Sequence, residues 1–190
     1  YECPHEEEPA MSPTSLVKAA IVYDFDGTLA SGNLPEHSLF PALGVTDFNK
    51  FWGENKKLAE ARDADEVLTY MGKILDVAAA AGVTIDRPML KTHGAKAPFF
   101  KGVEEWFDHI NEYGKTIGFD IEHYVISSGL LEVIEGCAIY SRFKQVFASA
   151  YAYDDAGKPV WPASAINYTT KTQFLFRINK GIPNTHDNSS

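Results

Sequence analysis

Two kinds of hydrophobic spacing alternate along the chain. Residues 16–25, "LVKAAIVYDF", form a short apolar run rich in Val, Ile and Ala that stops just before a glycine. That pattern predicts a strand buried on both faces. After "GTLASGNLPEHS" the spacing becomes helical: in Asp65 to Ala81 the residues Val67, Leu68, Met71, Ile74, Leu75 and Ala78 share one face, and Gly82 ends the segment. "DRPML" offers a cap residue and an early Pro for a short helix that stops by Gly94. Val103, Trp106, Phe107 and Ile110 make a further helical stripe up to Gly114.

At "IEHYVISSGL" the strand pattern returns, followed by the helical stripe Leu130, Leu131, Val133, Ile134. "QVFASAYAY", the turn "DDAGKP" and "VWPASAINY" predict a strand running into a hairpin, and "TTKTQFLFRINKG" predicts a capped helix ending at Gly181. Strand and helix alternate throughout except in one helical block. The expected architecture is an α/β domain with parallel strands, residues 16–32 and 99–190, carrying an inserted helical cap at 33–98. Residues 1–15 combine Pro, Glu and Ser with almost no apolar periodicity and read as a disordered leader, with Met11 as a candidate natural start.

Composition narrows the classes. With 190 residues, 45% hydrophobic and 13% aromatic, the chain has ample material for a buried core. A net charge of -9 argues against a sequence-independent grip on nucleic acid or on an anionic membrane surface. The two cysteines, Cys3 and Cys137, do not suggest a disulfide scaffold, and Cys137 reads as a small core residue. No stretch approaches the roughly 20 apolar residues of a membrane span, and the acidic start "YECPHEEEPA" is unlike a secretory signal. A cytoplasmic location is the expectation.

Candidate chemistry begins at "YDFDGTLA". Extended backbone points Asp24 and Asp26 to the same side, where they repel unless a cation or a shared proton holds them. Gly27 permits a tight turn, and backbone amides after Asp24 can hold anionic oxygens. Ser127 stands at the end of a predicted strand, with Ser128 competing for the same role and helix capping as the alternative. Lys171 opens the last predicted helix, a place where a cation is mildly unfavourable.

Together these stretches resemble the haloacid dehalogenase (HAD) superfamily over about residues 16–181. "DFDGTLA" resembles the first motif, Ser127 in "YVISSGL" the second, and Lys171 in "TTKTQFLF" the third. The hairpin before Lys171 is similar to that of phosphoserine phosphatase and its relatives. The resemblance implies a Rossmann-like parallel sheet with a helical cap after the first strand. It further implies a Mg2+-dependent phosphomonoester phosphatase acting on a small phosphorylated metabolite through an aspartyl-phosphate. In that reading Asp24 is the nucleophile, Asp26 the acid and then base, Ser127 a hydrogen-bond donor to the phosphoryl group, and Lys171 the fixed cation. Phe25, Gly27, Thr28, Ser128 and Gly129 would surround the phosphate. Mg2+ would take the Asp24 carboxylate and the Asp26 backbone carbonyl. The second acid separates phosphatases and phosphomutases from dehalogenases, and a phosphomutase or a noncatalytic binding protein of the same fold are the alternatives. The family's fourth motif, an apolar strand ending in Gly-Asp with a further acid, is not found: after Gly181 the chain reads "IPNTHDNSS", with Asp187 alone. The expectation is therefore that the last core strands are missing from this chain, that "AAIVYDF" is an exposed sheet edge, and that Mg2+ binding is weakened.

Other residues carry less. Asp154 and Asp155 open a hairpin turn rather than a metal site. His123 is expected ahead of a strand without a metal-ligand partner. Trp52, Trp106 and Trp161 are expected to pack, with Trp52 in the cap able to face a substrate. Lys56, Lys57, Arg62, Arg87, Lys91 and Lys96 are candidate cap cations.

Overall fold

A central parallel sheet places the ends of the chain's apolar runs side by side. The structure, a computed structural model, describes residues 15–185. The elements are β1 (Val17–Tyr23), α1 (Leu34–His37), α2 (Leu39–Ala42), α3 (Phe48–Arg62), α4 (Glu66–Ala80), α5 (Arg87–Gly94), α6 (Val103–Thr116), β2 (Phe119–Leu130), α7 (Leu131–Glu135), β3 (Gln145–Tyr153), β4 (Pro159–Ser164) and α8 (Lys171–Lys180). Spatial order is β1-β2-β3-β4, with β1, β2 and β3 parallel and β4 antiparallel on β3. The α/β fold and the hairpin thus stand as the sequence pattern implied.

Side chains of the parallel strands alternate between two faces, each with its own cover. On one face Val22, Ile126 and Phe147 pack with Phe174 and Ile178 of α8. On the other, Tyr23, Val125, Val146 and Ala148 join a larger apolar cluster that runs without a break into the helices of residues 34–94, through Leu39, Phe40, Phe51, Tyr70, Met71, Ile74 and Leu90. Cys137 is buried in that cluster with a free thiol. Aspartates start α3, α4 and α5: Asp47, Asp65 and Asp86 accept hydrogen bonds from the amides of Lys50, of Val67 and Leu68, and of Met89. A carboxylate at that point satisfies orphan amides and complements the positive end of the helix dipole.

Three expectations need correction. Strand β1 is not buried on both faces; none of its residues is fully buried, and Val17 is 60% exposed. The reason is its place in the sheet, because among the described residues it pairs only with β2. The edge expected for "AAIVYDF" is there. Trp161 does not pack: it lies on the hairpin and is 71% exposed. His123 lies within β2 and is buried. Its Nε2 sits 3.0 Å from the Asn111 Oδ1 acceptor, so the other ring nitrogen, 2.9 Å from the Tyr23 hydroxyl, is the acceptor. Trp106 in turn donates to the Tyr23 hydroxyl at 2.8 Å, which ties α6 to β1 and β2 through one polar chain. Burial lowers the pKa of His123, in keeping with a neutral ring. Met11, Cys3 and most of the leader lie outside the described residues, as does Asp187.

The helical block is held to the sheet domain by a backbone-to-backbone approach of α5 and α7. A Cβ added to Gly94 would stand 1.9 Å from the Val133 carbonyl oxygen, and one added to Gly136 would stand 1.8 Å from the Lys91 carbonyl oxygen. Both neighbours are backbone and cannot turn aside. Around this contact Arg87 and Lys91 pair with Glu135 across the same helices, so these two cap cations are structural.

Gly136→Ala should therefore destabilise the protein by on the order of 3 kcal/mol, at the upper end for overpacking, because the two helices must separate. Urea unfolding monitored by circular dichroism measures it. A change below about 0.5 kcal/mol, the size typical of surface substitutions, would show that the contact relaxes freely.

Candidate active site

Parallel pairing sets the geometry. The register Tyr23↔Val125 brings the carboxyl ends of β1 and β2 to one edge, so the residues that follow, Asp24 and Ser127, emerge at the same end of the sheet. After β1 the chain turns back on itself. The Phe25 carbonyl accepts from the amides of Thr28, Leu29 and Ala30, while the Gly27 amide donates to Ala30. Gly27 has φ 72°, a left-handed conformation that a side chain would strain, and this tight loop carries Asp24 and Asp26 at its start. Phe25 between them is fully buried and anchors the loop.

Each acid has distinct partners. Asp24 is partly exposed; its Oδ1 accepts from the Phe25 amide at 2.8 Å and its Oδ2 from the Lys171 ammonium at 2.5 Å. Lys171 reaches it from the first residue of α8, 147 positions along the chain. Asp26 faces inward, and its Oδ1 accepts from the Leu34 amide at 3.1 Å. Burial, aided by the nearby charge of Asp24 and opposed by the Leu34 hydrogen bond, pushes its pKa up to about 6. Two acids in adjoining places thus differ in character: one is solvated and ion-paired, the other is drier and holds a proton more readily.

Opposite them lies the last part of β2, Ser127, Ser128 and Gly129, where the strand's register with β3 is interrupted between Ile126 and Leu130. Ser127 is 1% exposed and its Oγ accepts from the Gly129 amide at 3.0 Å. This stretch crowds the acid: a Cβ at Gly129 would lie 3.2 Å from both Asp26 Oδ2 and Ser127 Oγ. Asp24, Asp26, Ser127 and Lys171 thus occupy one end of the sheet domain, with Phe25, Gly27 and Thr28 in the loop after β1 and Ser128 and Gly129 in the last part of β2 framing it. Next to Asp26 a cavity of about 460 Å3 opens toward the helical block, lined by Trp52, Asn55, Lys56, Tyr70, Ser128 and Gly129 among others. Trp52 borders this space as its place in the cap implied, with its ring N–H donating to Glu36 at 2.6 Å. Among the cap cations, Lys56 borders the cavity as well.

The sequence reading missed Tyr70 and Asn55. Tyr70 is buried on α4 although it is absent from the expected stripe of Val67, Leu68, Met71, Ile74, Leu75 and Ala78. Its hydroxyl donates to the Ser128 carbonyl at 2.8 Å. Asp154 is the turn residue expected, accepting from the amides of Ala156 and Lys158.

For a divalent cation the donors fit in kind. Asp24 and the Asp26 carbonyl are hard oxygen ligands of the sort Mg2+ prefers, and Mg2+ is commonly held by one or two carboxylates with waters and substrate phosphate completing its shell. Among the described residues no group of three or more His, Cys, Asp or Glu side chains gathers to hold a metal by itself. No helix of the described residues is long and apolar enough to cross a membrane.

Comparison with known proteins adds the fold. No protein-family profile matches the chain. A protein of Borreliella burgdorferi, described as uncharacterized, is 30% identical over 186 residues, covering 85% of this chain and 65% of its own length. Among solved structures, a HAD family hydrolase from Salmonella enterica serovar Typhi superposes with a TM-score of 0.63 at 14% identity, over 90% of this chain and 53% of that one. A phosphoserine phosphohydrolase-like protein from Francisella tularensis gives 0.55 at 20% identity, over 89% of this chain and 75% of its own. A probable phosphoserine phosphatase from Vibrio cholerae gives 0.55 at 12%, over 87% of this chain and 47% of its own. The chain has the HAD fold, and it spans less than two thirds of the length of the first of these relatives by sequence and by structure.

The unequal acids generate a prediction for the metal-free protein. Because the folded pKa of Asp26 is raised, its carboxyl favours folding most below its unfolded pKa, and that contribution is lost as pH rises through about 6. Asp26→Asn should then stabilise the protein at pH 8 by on the order of 2 kcal/mol and have little effect at pH 4. Urea unfolding in the presence of a chelator at the two pH values checks the sign.

Proposed function

We propose that this chain carries the catalytic centre of a Mg2+-dependent phosphomonoester phosphatase acting on a small phosphorylated metabolite. The observation that supports it most is the convergence of Lys171 on Asp24 beside an acid of raised pKa. Structural neighbours described as HAD hydrolases and phosphoserine phosphatases are consistent with a hydrolase of this kind. A carboxylate attacks a phosphate ester only where positive charge offsets the repulsion of two anions. Lys171 supplies a fixed charge at the attacking group; Asp24 and the Asp26 carbonyl would hold a Mg2+ ion, which when bound would supply a second positive charge as a Lewis acid.

Asp24 attacks phosphorus and forms an aspartyl-phosphate, releasing the alcohol. Asp26, with a pKa of about 6, retains enough of its protonated form near neutrality to give that alcohol its proton. It then takes a proton from the water that cleaves the intermediate. Ser127 donates its hydroxyl hydrogen to a phosphoryl oxygen. The cavity on the helical side receives the alcohol portion, and the helices above it favour a small ester over a phosphoprotein.

Asp24→Asn should lower kcat at least about 1,000-fold, since no other carboxylate can take its place in line. Asp26→Asn should slow turnover about 100-fold or more with KM changed little, because a proton carrier rather than a binding group is removed. Release of inorganic phosphate from a panel of phosphorylated metabolites, with and without Mg2+, tests both. Normal turnover by Asp24→Asn would refute the mechanism, and Mg2+-independent turnover would refute the role of the ion.

A further inference from the structure

The peptide unit joining Ser128 to Gly129 is gripped at both polar ends. Its carbonyl accepts from the Tyr70 hydroxyl at 2.8 Å, and its N–H donates to Ser127 Oγ at 3.0 Å. Tyr70 belongs to α4, 58 positions earlier in the chain, is 6% exposed, and borders the same cavity as Asp26. On the inner side of this peptide Asp26 Oδ2 and Ser127 Oγ both lie 3.2 Å from the place of a Gly129 Cβ, so that only glycine leaves the acid uncrowded there.

The consequence concerns a proton. A serine hydroxyl has one donor and two acceptor sites. At Ser127 the Gly129 amide occupies one acceptor site, and among the described residues no protein group takes the hydroxyl proton. That proton is left to point at an incoming oxygen. If the peptide flipped, its carbonyl would face Ser127 and claim the proton instead. Hydrogen bonding to the carbonyl also polarises the amide and strengthens its donation.

We propose that Tyr70 is a positioning residue for oxyanion binding: its hydroxyl fixes the Ser128–Gly129 peptide so that Ser127 presents its proton to a phosphoryl oxygen. The inference rests on the phosphatase reading for the identity of that oxygen, and it assigns the effect to the Tyr70 hydroxyl itself rather than to the general seating of α4. Burial raises the pKa of Tyr70, which keeps it a donor throughout the working pH range. A second tyrosine provides an internal control. Tyr151 donates its hydroxyl to the carbonyl of Met71, the neighbour of Tyr70 on α4, at 2.7 Å, and among the described residues its hydroxyl makes no hydrogen bond to Ser127, Ser128 or Gly129.

Two measurements on the full chain decide the matter. The first needs no ligand: amide hydrogen exchange at Gly129, followed by NMR, should quicken about tenfold in Tyr70→Phe and stay unchanged in Tyr151→Phe. The second is a double-mutant cycle on the binding of orthovanadate with Mg2+ present, by calorimetry. Tyr70→Phe should weaken binding about tenfold, equivalent to ~1.4 kcal/mol, in the unsubstituted background and have no further effect on top of Ser127→Ala. Additive losses, or unchanged Gly129 exchange in Tyr70→Phe, would overturn the positioning role. Absence of phosphate release from every ester, with the exchange result standing, would refute the phosphatase reading while leaving the hydrogen-bond relay in place.

Discussion

Parallel hydrogen bonding between β1 and β2 is the constraint on which the site depends. Parallel strands carry their carboxyl ends to the same edge, and no other pairing would set the residues after Tyr23 beside those after Val125. Once the register is fixed, Asp24 and Ser127 need no long loops to meet. The crossover between them is then free to be large, since both of its ends are held by the sheet. It accommodates the helices of residues 34–94 without disturbing the strands.

Those helices are not a loose lid. Their apolar faces continue into the cluster that covers one side of the sheet, and the close approach of α5 and α7 leaves no space for a side chain at Gly94 or Gly136. Contact at the level of backbone fixes the distance between the helical block and the strand ends. The cavity beside Asp26 is a product of that distance. Two tyrosine hydroxyls then bind α4 to the sheet domain, one through the Ser128 carbonyl and one through the Met71 carbonyl.

Electrostatics within the site come from unequal burial. Asp24 stands partly in solvent and meets Lys171, while Asp26, two residues further on, loses water to the loop and to the helical block. A raised pKa follows for Asp26 because the charged form is the one that burial disfavours. The same sequence spacing in an open turn would give two ordinary surface carboxylates.

Much of this could be read from local pattern. Apolar runs of strand length, helical stripes, Asp caps and Gly stops depend on neighbours within a few residues, so the elements from Asp65 to Gly181 lay close to their expected places. "DFDGTLA" and Lys171 were legible for a related reason, since each sits at a strand or helix end that the pattern marks, whereas Ser127, expected at a strand end, lies inside β2. Other features had no local sign. Whether β1 is central or at an edge depends on which strands flank it: its apolar run pointed to burial on both faces, and only the absence of the fourth motif pointed to the edge that is found among the described residues. Trp161 was taken for a packing residue because hydrophobicity says what a side chain prefers, whereas the hairpin's position decides what it meets. Tyr70 carries no local sign of its partner, and only the folding of α4 against the last part of β2, 58 positions away, gives its hydroxyl a carbonyl to hold. The sequence by itself determined which residues could do the chemistry; tertiary structure alone decided their distances, their dryness and their partners, because those arise from contacts between segments that local spacing does not encode.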